Sequence, residues 1–268
     1  MDKAVILARG LGTRMQKADN SGDLTEEQVG AAEAGVKGMI PIGRPFLDYV
    51  ISELADAGFR RICLVIGPEH GTVRNYYQSL TCQRVGIEFA IQAEPLGTAD
   101  AVIAAERFAA GESFVVINCD NYYPVQALEA LRQLEEPGLV GFDREAMLEG
   151  SNIPRARIKD FAVVQIDDGG YLVEIIEKPR AKVLAKMPRP VCVSMNCWRF
   201  SRSIFTGCRS ISPSARGELE LPDAVQYAVD SLGERFRVVP VRAAVLDLSR
   251  RRDIPAVAAR LRDVEVSL

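Results

Sequence analysis

Residues 7–14, Leu7-Ala8-Arg9-Gly10-Leu11-Gly12-Thr13-Arg14, set a glycine-rich turn and a cation directly after the short apolar run 4–7. Glycine lacks the Cβ that would keep an anion away from backbone N–H groups, and arginine adds a forked, permanently charged partner for phosphate oxygens. A strand end of this kind can cradle a nucleoside triphosphate. The same turn also serves elsewhere as a plain strand-to-loop connection. The dinucleotide fingerprint fits poorly, because Met15 stands where a third glycine belongs. The residues after Met15 read as a loop, with no helix opening there.

Asp120 is the second group with evident chemistry, since it follows the buried-looking run 114–117 at the end where an open α/β sheet presents its ligands. A carboxylate there needs solvent, a cation or hydrogen-bond donors. The six cysteines form no Cys-x-x-Cys pair and His70 is the single histidine, so they read as reduced, mostly packed thiols rather than a zinc site. A formal charge of -3 gives no general attraction to nucleic acid or to anionic lipid. The N-terminal apolar run is too short for a secretory core and no stretch approaches membrane-spanning length. The expectation is a cytoplasmic protein that binds neither nucleic acid nor membrane.

Short β-branched runs at 61–66, 86–91 and 114–117 alternate with helical patterns at 45–57 and 98–109, which is the rhythm of a parallel sheet. Pro45 suits the first turn of its helix and Gly58 its stop. From about residue 159 the rhythm turns antiparallel: 161–166 and 171–176 flank Asp167-Asp168-Gly169-Gly170, a hairpin signal. A strand at 191–198 and helices near Ser201, from about Pro222 and over 253–264 complete the chain. The polar segment 16–36 reads equally as a mobile flap over the glycine loop or as a surface insertion, and Thr25-Glu26-Glu27-Gln28 predicts a capping box inside it. The run Arg250-Arg251-Arg252 reads as a solvated loop.

The order and spacing of further blocks carry a resemblance. Leu7 to Arg14, then Lys37-Gly38-Met39-Ile40-Pro41-Ile42, Gln92-Ala93-Glu94-Pro95-Leu96-Gly97-Thr98-Ala99, Asn118-Cys119-Asp120-Asn121 and Glu177-Lys178-Pro179 resemble the sugar-1-phosphate nucleotidyltransferases. Residues 213–223, from Pro213 through Arg216-Gly217-Glu218-Leu219-Glu220 to Asp223, look most like the glucose-1-phosphate thymidylyltransferase and uridylyltransferase branch.

The resemblance implies an α/β fold: a Rossmann-like, mostly parallel mixed sheet flanked by helices, with an inserted antiparallel sugar-binding portion. It implies one domain over 1–268, with a nucleotide half at about 1–142 and a sugar-phosphate half at about 143–268. The substrates would be a nucleoside triphosphate and a sugar 1-phosphate, and a homo-oligomer stays open.

In such an enzyme Arg14 would hold the leaving phosphates, Lys37 the α-phosphate and Lys178 the sugar phosphate. Asp120 and Asp247 would bind Mg²⁺, the second assignment being the softer because Leu248, Ser249 and Arg250 replace the residues that usually follow. Leu7, Gly10, Gly12, Thr13, Gln92, Gly97 and Thr98 would line the nucleotide, with Gln92 pairing to the edge of uracil or thymine. Thr98 also reads as an ordinary helix cap. Ala162, Glu177, Asn196 and Glu218 would meet the sugar. The chain departs from the family at Arg9, which replaces a small residue of the glycine loop, at Cys119, and at Phe161-Ala162. A catalytically silent nucleotide sensor on the same scaffold is the rival expectation.

Overall fold

The computed structural model describes residues 1–17, 24–159 and 161–268. Among them the chain forms, in order, β1 (Lys3–Leu7), β2 (Arg61–Ile66), β3 (Gly86–Ile91), β4 (Phe114–Asn118), β5 (Asn121–Tyr122), β6 (Gly138–Asp143), β7 (Val163–Ile166), β8 (Leu172–Ile176), β9 (Cys192–Phe200), β10 (Arg237–Val241) and β11 (Leu246–Asp247). The main sheet runs β10-β6-β9-β4-β1-β2-β3. Its pairs are parallel except around β9, which is antiparallel to both β4 and β6. The β7–β8 hairpin joins it through Val163 and Val193. This is the mixed, mostly parallel sheet with an antiparallel portion that the sequence led us to expect.

Side chains alternate across β1, so Ala4 and Ile6 enter one core while Val5 and Leu7 enter the other. The first core takes Leu47, Val50, Ile51 and Leu54 from helix Phe46–Asp56 and Ile254, Val257 and Leu261 from helix Asp253–Leu261. The second takes Val102 from helix Thr98–Ala104, Phe205 from helix Ile204–Ser210, and Val225 and Ala228 from helix Leu221–Leu232. Burial on both faces explains the unbroken apolar runs of the central strands. Because β1, β3 and β4 point the same way, Leu7, Ile91 and Asn118 end on one edge of the sheet.

Two expectations need correction. The helix expected over 98–109 breaks into Thr98–Ala104 and Glu106–Ala109, with Ala105 at φ -88 and ψ 3. No helix was expected to open at Met15, yet Thr13–Gln16 is a single helical turn. The capping box at Thr25 and Gln28 is present and opens helix Glu26–Ala34. The rest of the expected flap, Ala18-Asp19-Asn20-Ser21-Gly22-Asp23, lies outside the described residues. All six cysteines are free, five of them buried. None of the described helices is long and apolar enough to cross a membrane.

Candidate active site

The glycine loop leaves β1 and is shaped by a close approach of two backbones. Gly12 has φ 62, and a Cβ there would collide with the Gly35 carbonyl, so no larger residue fits. That approach fixes the start of the 3-10 turn Lys37–Met39 beside the loop. Gly10, Thr13 and Arg14 are exposed, and a Cβ on Gly10 would meet nothing within 4 Å. The loop is therefore open on the side a ligand would approach.

Lys37 Nζ donates to Asp120 Oδ2 at 2.7 Å. Burial works against the lysine charge, but the Asp120 carboxylate outweighs it and the Lys37 pKa is raised. Asp247 reaches the same place through a second short ladder: it pairs with Asn121 across β11 and β5, and Leu248 N donates to the Asp120 carbonyl at 2.8 Å. Asp247 is 5% exposed. Its Oδ1 accepts from Arg157 Nη2 at 2.9 Å, and its Oδ2 from Ser249 Oγ at 3.0 Å and Asn121 Nδ2 at 3.4 Å. Among the described residues no group of three or more acidic, cysteine or histidine side chains gathers to hold a metal. Two carboxylates offering only oxygen fit Mg²⁺, which takes one or two of them and completes its shell with phosphate oxygens and water.

Sequence reasoning missed two members of this group, Arg157 and Arg251. Arg251 is 7% exposed rather than solvated, and it donates from Nε to the Met15 carbonyl and from Nη2 to the Gln16 carbonyl, each at 3.0 Å. It closes the carbonyl end of the helical turn that carries Arg14. Its position just after Asp247 was the one available signal.

Gln92 follows β3 and is 4% exposed. Its Nε2 donates to the Gly97 carbonyl and to Asp100 Oδ2, both at 2.9 Å. Both partners only accept, so the amide can stand one way round; its two hydrogens are used and Oε1 alone remains for a ligand. Gly97, at φ 121, lies where a Cβ would strike the Leu219 backbone. Leu219 N donates to the Leu96 carbonyl at 2.7 Å and Ala99 N to the Leu219 carbonyl at 2.9 Å. Thr98 does not cap its own helix; its Oγ1 accepts from Leu221 N at 2.9 Å at the start of the following helix. Arg9 is 7% exposed and fastens the glycine loop to this region, its Nη2 lying 3.2 Å from the Ala93 carbonyl and 3.4 Å from Glu69 Oε1.

The sugar-side candidates are looser. Ala162 is buried, and its carbonyl accepts from Ser194 N at 2.9 Å, tying β7 to β9. Glu177, Lys178 and Glu218 are exposed. Burial first, and the Glu220 carboxylate second, push the Glu177 carboxyl upward. Arg216 pairs with Glu220 rather than Glu218. Lys178 at φ 44 and Asn196 at φ 53 hold a left-handed conformation that non-glycine residues seldom adopt. Asn196 Oδ1 accepts from Trp198 Nε1 at 3.4 Å. Lys178 is ion-paired to neither Asp120 nor Asp247 among the described residues.

Comparisons with known proteins add a family. A family model described as nucleotidyl transferase matches residues 3–244. A UTP–glucose-1-phosphate uridylyltransferase of Haloferax volcanii is 26% identical over 263 residues, covering 97% of each chain. A glucose-1-phosphate thymidylyltransferase of Streptomyces antibioticus is 28% identical over 232 residues, covering 85% of this chain and 58% of that protein. The chain spans 59% and 48% of the length of two further curated relatives. The crystal structure of a UDP-glucose pyrophosphorylase complexed with UDP-glucose superposes with TM-score 0.73 at 15% identity, covering 99% of this chain and 100% of that one. At that identity the likeness concerns the fold.

Proposed function

The chain belongs to the nucleotidyl transferase family, and on that premise we propose that it joins a nucleoside triphosphate to a sugar 1-phosphate, releasing pyrophosphate. The observation that carries the reading is the Lys37–Asp120 pair beside the glycine loop, with Asp247 stitched next to it across β5 and β11. An oxygen of the sugar phosphate attacks the α-phosphorus, one P–O bond forms, and the bridging bond to the β-phosphate breaks. No proton need move, so the chain's task is to align two anions and offset their repulsion.

In this reading residues of about 1–142 bind the nucleotide and those of about 143–268 the sugar phosphate. The backbone of Leu7, Gly10, Gly12 and Thr13 cradles the triphosphate, Arg14 takes the leaving phosphates and Lys37 the α-phosphate. Lys178 meets the sugar phosphate, with Ala162, Glu177, Asn196 and Glu218 about the sugar. Asp120 and Asp247 would hold Mg²⁺, which when bound would neutralise phosphate oxygens.

The fixed amide of Gln92 supports UTP or dTTP as donor. Its free Oε1 would accept the N3–H of uracil or thymine, as it would the N1–H of guanine, and would meet only a lone pair at N3 of cytosine or N1 of adenine, so it speaks against CTP and ATP. A nucleotide-sensing protein without turnover is the second reading, and one observation favours it: Arg157 occupies Asp247. Pyrophosphate release from a panel of nucleotides and sugar 1-phosphates, with and without Mg²⁺, separates the two. Turnover with a pyrimidine triphosphate is expected; nucleotide binding with no release from any sugar phosphate would hand the case to the sensor.

A further inference from the structure

The Asp247 carboxylate has no free oxygen, yet its partners are not equivalent. Asn152 brackets its backbone, donating from Nδ2 to the Asp247 carbonyl and accepting from Asp247 N, both at 2.8 Å. Asn121, opposite Asp247 on β5, and Ser249, two residues on, hold Oδ2. These contacts keep the side chain in place whatever happens at Oδ1. The Oδ1 partner, Arg157, comes instead from a separate four-residue helix, Arg155–Ile158. Its other terminal nitrogen, Nη1, is buried without a hydrogen-bond partner among the described residues and stands 3.8 Å from Asp253 Oδ2. The guanidinium also lies 5.8 Å from the centre of the Phe161 ring.

A buried ionised carboxylate requires a compensating cation. A guanidinium has no lone pair to offer a metal, so an arginine cannot join a divalent ion's ligands, and two cations crowded on one buried oxygen repel each other. Resting on the assignment of Asp247 as a metal ligand, we propose that Arg157 is a place-holding cation: it neutralises Asp247 in the metal-free chain and gives up Oδ1 when a divalent ion arrives. The pair that favours the sensor reading then becomes the metal-free state of a working site. Once released, the arginine remains on the helix leading into Phe161 and Ala162, where a phosphate is the partner that its fork matches.

Mn²⁺ binding to the chain without substrates, followed by the electron paramagnetic resonance of the free ion, tests this directly. Arg157→Gln should bind Mn²⁺ about tenfold more tightly than wild type, since the competitor is gone, and Asp247→Asn should bind it far more weakly. Equal or weaker binding by Arg157→Gln, with Asp247→Asn impaired, would overturn the place-holder. Wild-type affinity in Asp247→Asn would instead remove the metal assignment itself, and the place-holder with it. A measurement on the unaltered protein covers a variant that fails to fold: the Nε–Hε resonance of Arg157 should shift as Mg²⁺ saturates the chain, and a resonance that stays put would count decisively against the exchange.

Discussion

At the proposed phosphate end the contacts are long in sequence, whereas the charged side chains of the proposed sugar end are exposed or paired close by in sequence. Lys37 reaches Asp120 across 83 positions, and Arg251 reaches Met15 and Gln16 across 236 and 235. On the other side Glu177, Lys178 and Glu218 are exposed, and Arg216 is satisfied by Glu220 four residues away. Under the proposed function the difference follows from what each end would do. Displacement at phosphorus tolerates little error in position, so its groups are locked by distant parts of the fold. Sugar recognition can change with a few side chains at the surface without disturbing the core.

The largest effect should come from the locked end. Asp120→Asn is expected to reduce pyrophosphate release about 10³-fold while the fold persists, because it removes charge placed for the transfer itself. Lys178→Ala should lower kcat/KM for the sugar phosphate about 10²-fold and leave nucleotide binding in place, as judged by equilibrium dialysis. If the lysine change abolished nucleotide binding too, the two ends would not be separable and the comparison would break.

The same contrast explains what the sequence disclosed. β2 occupies the expected 61–66 because a strand buried on both faces announces itself as an apolar, β-branched run, and β3 occupies the expected 86–91 as the half-exposed edge strand beside it. β6 was not expected: its glycines mask it, and Gly141 is small because Cys192 of β9 passes where a Cβ would stand. Arg14, Lys37 and Asp120 were singled out because they stand in blocks whose order and spacing resemble one family, and of these the structure pairs Lys37 with Asp120 and leaves Arg14 exposed. Arg157 and Arg251 were not, since their meaning lies wholly in partners 90 and more than 230 residues away. Thr98 shows the same limit at a single hydroxyl, which caps a helix starting at Leu221 rather than its own.

Arg251 offers a sharper cut within the locked end, for it touches no expected substrate position. Arg251→Met leaves two carbonyls without their charged donor and should cost about 2 kcal/mol of stability. The turn bearing Arg14 loosens with it, so the nucleotide KM should rise about tenfold while the sugar-phosphate KM holds. A rise in both would make Arg251 a general structural support. Gln92→Glu should act more mildly, reducing the preference for UTP or dTTP over CTP and ATP by about fivefold, since a carboxylate would face two acceptors, the Gly97 carbonyl and Asp100, and shift the oxygen that reads the base. Unchanged base selectivity would remove Gln92 from base reading.

The smallest effect belongs to the sugar end and has the opposite sign. Glu177 carries a carboxyl raised above its ordinary 4.5, by burial first and Glu220 second. At pH well below that value both folded and unfolded chains hold the proton, and the residue adds nothing to stability. As pH rises the unfolded chain ionises first, so the destabilising contribution grows and is complete once the folded pKa is passed. Because Glu177 is exposed and solvent screens it, Glu177→Gln should raise the thermal midpoint at pH 7 by less than about 1 °C, with the gain vanishing in acid. The sugar-phosphate KM should rise at the same time, because a carboxylate kept where it weakens the fold is retained for what it binds. A midpoint that fell at pH 7 would mean that Glu177 supports the fold as Arg251 does, and the sugar end would lose its claim to be the adjustable one.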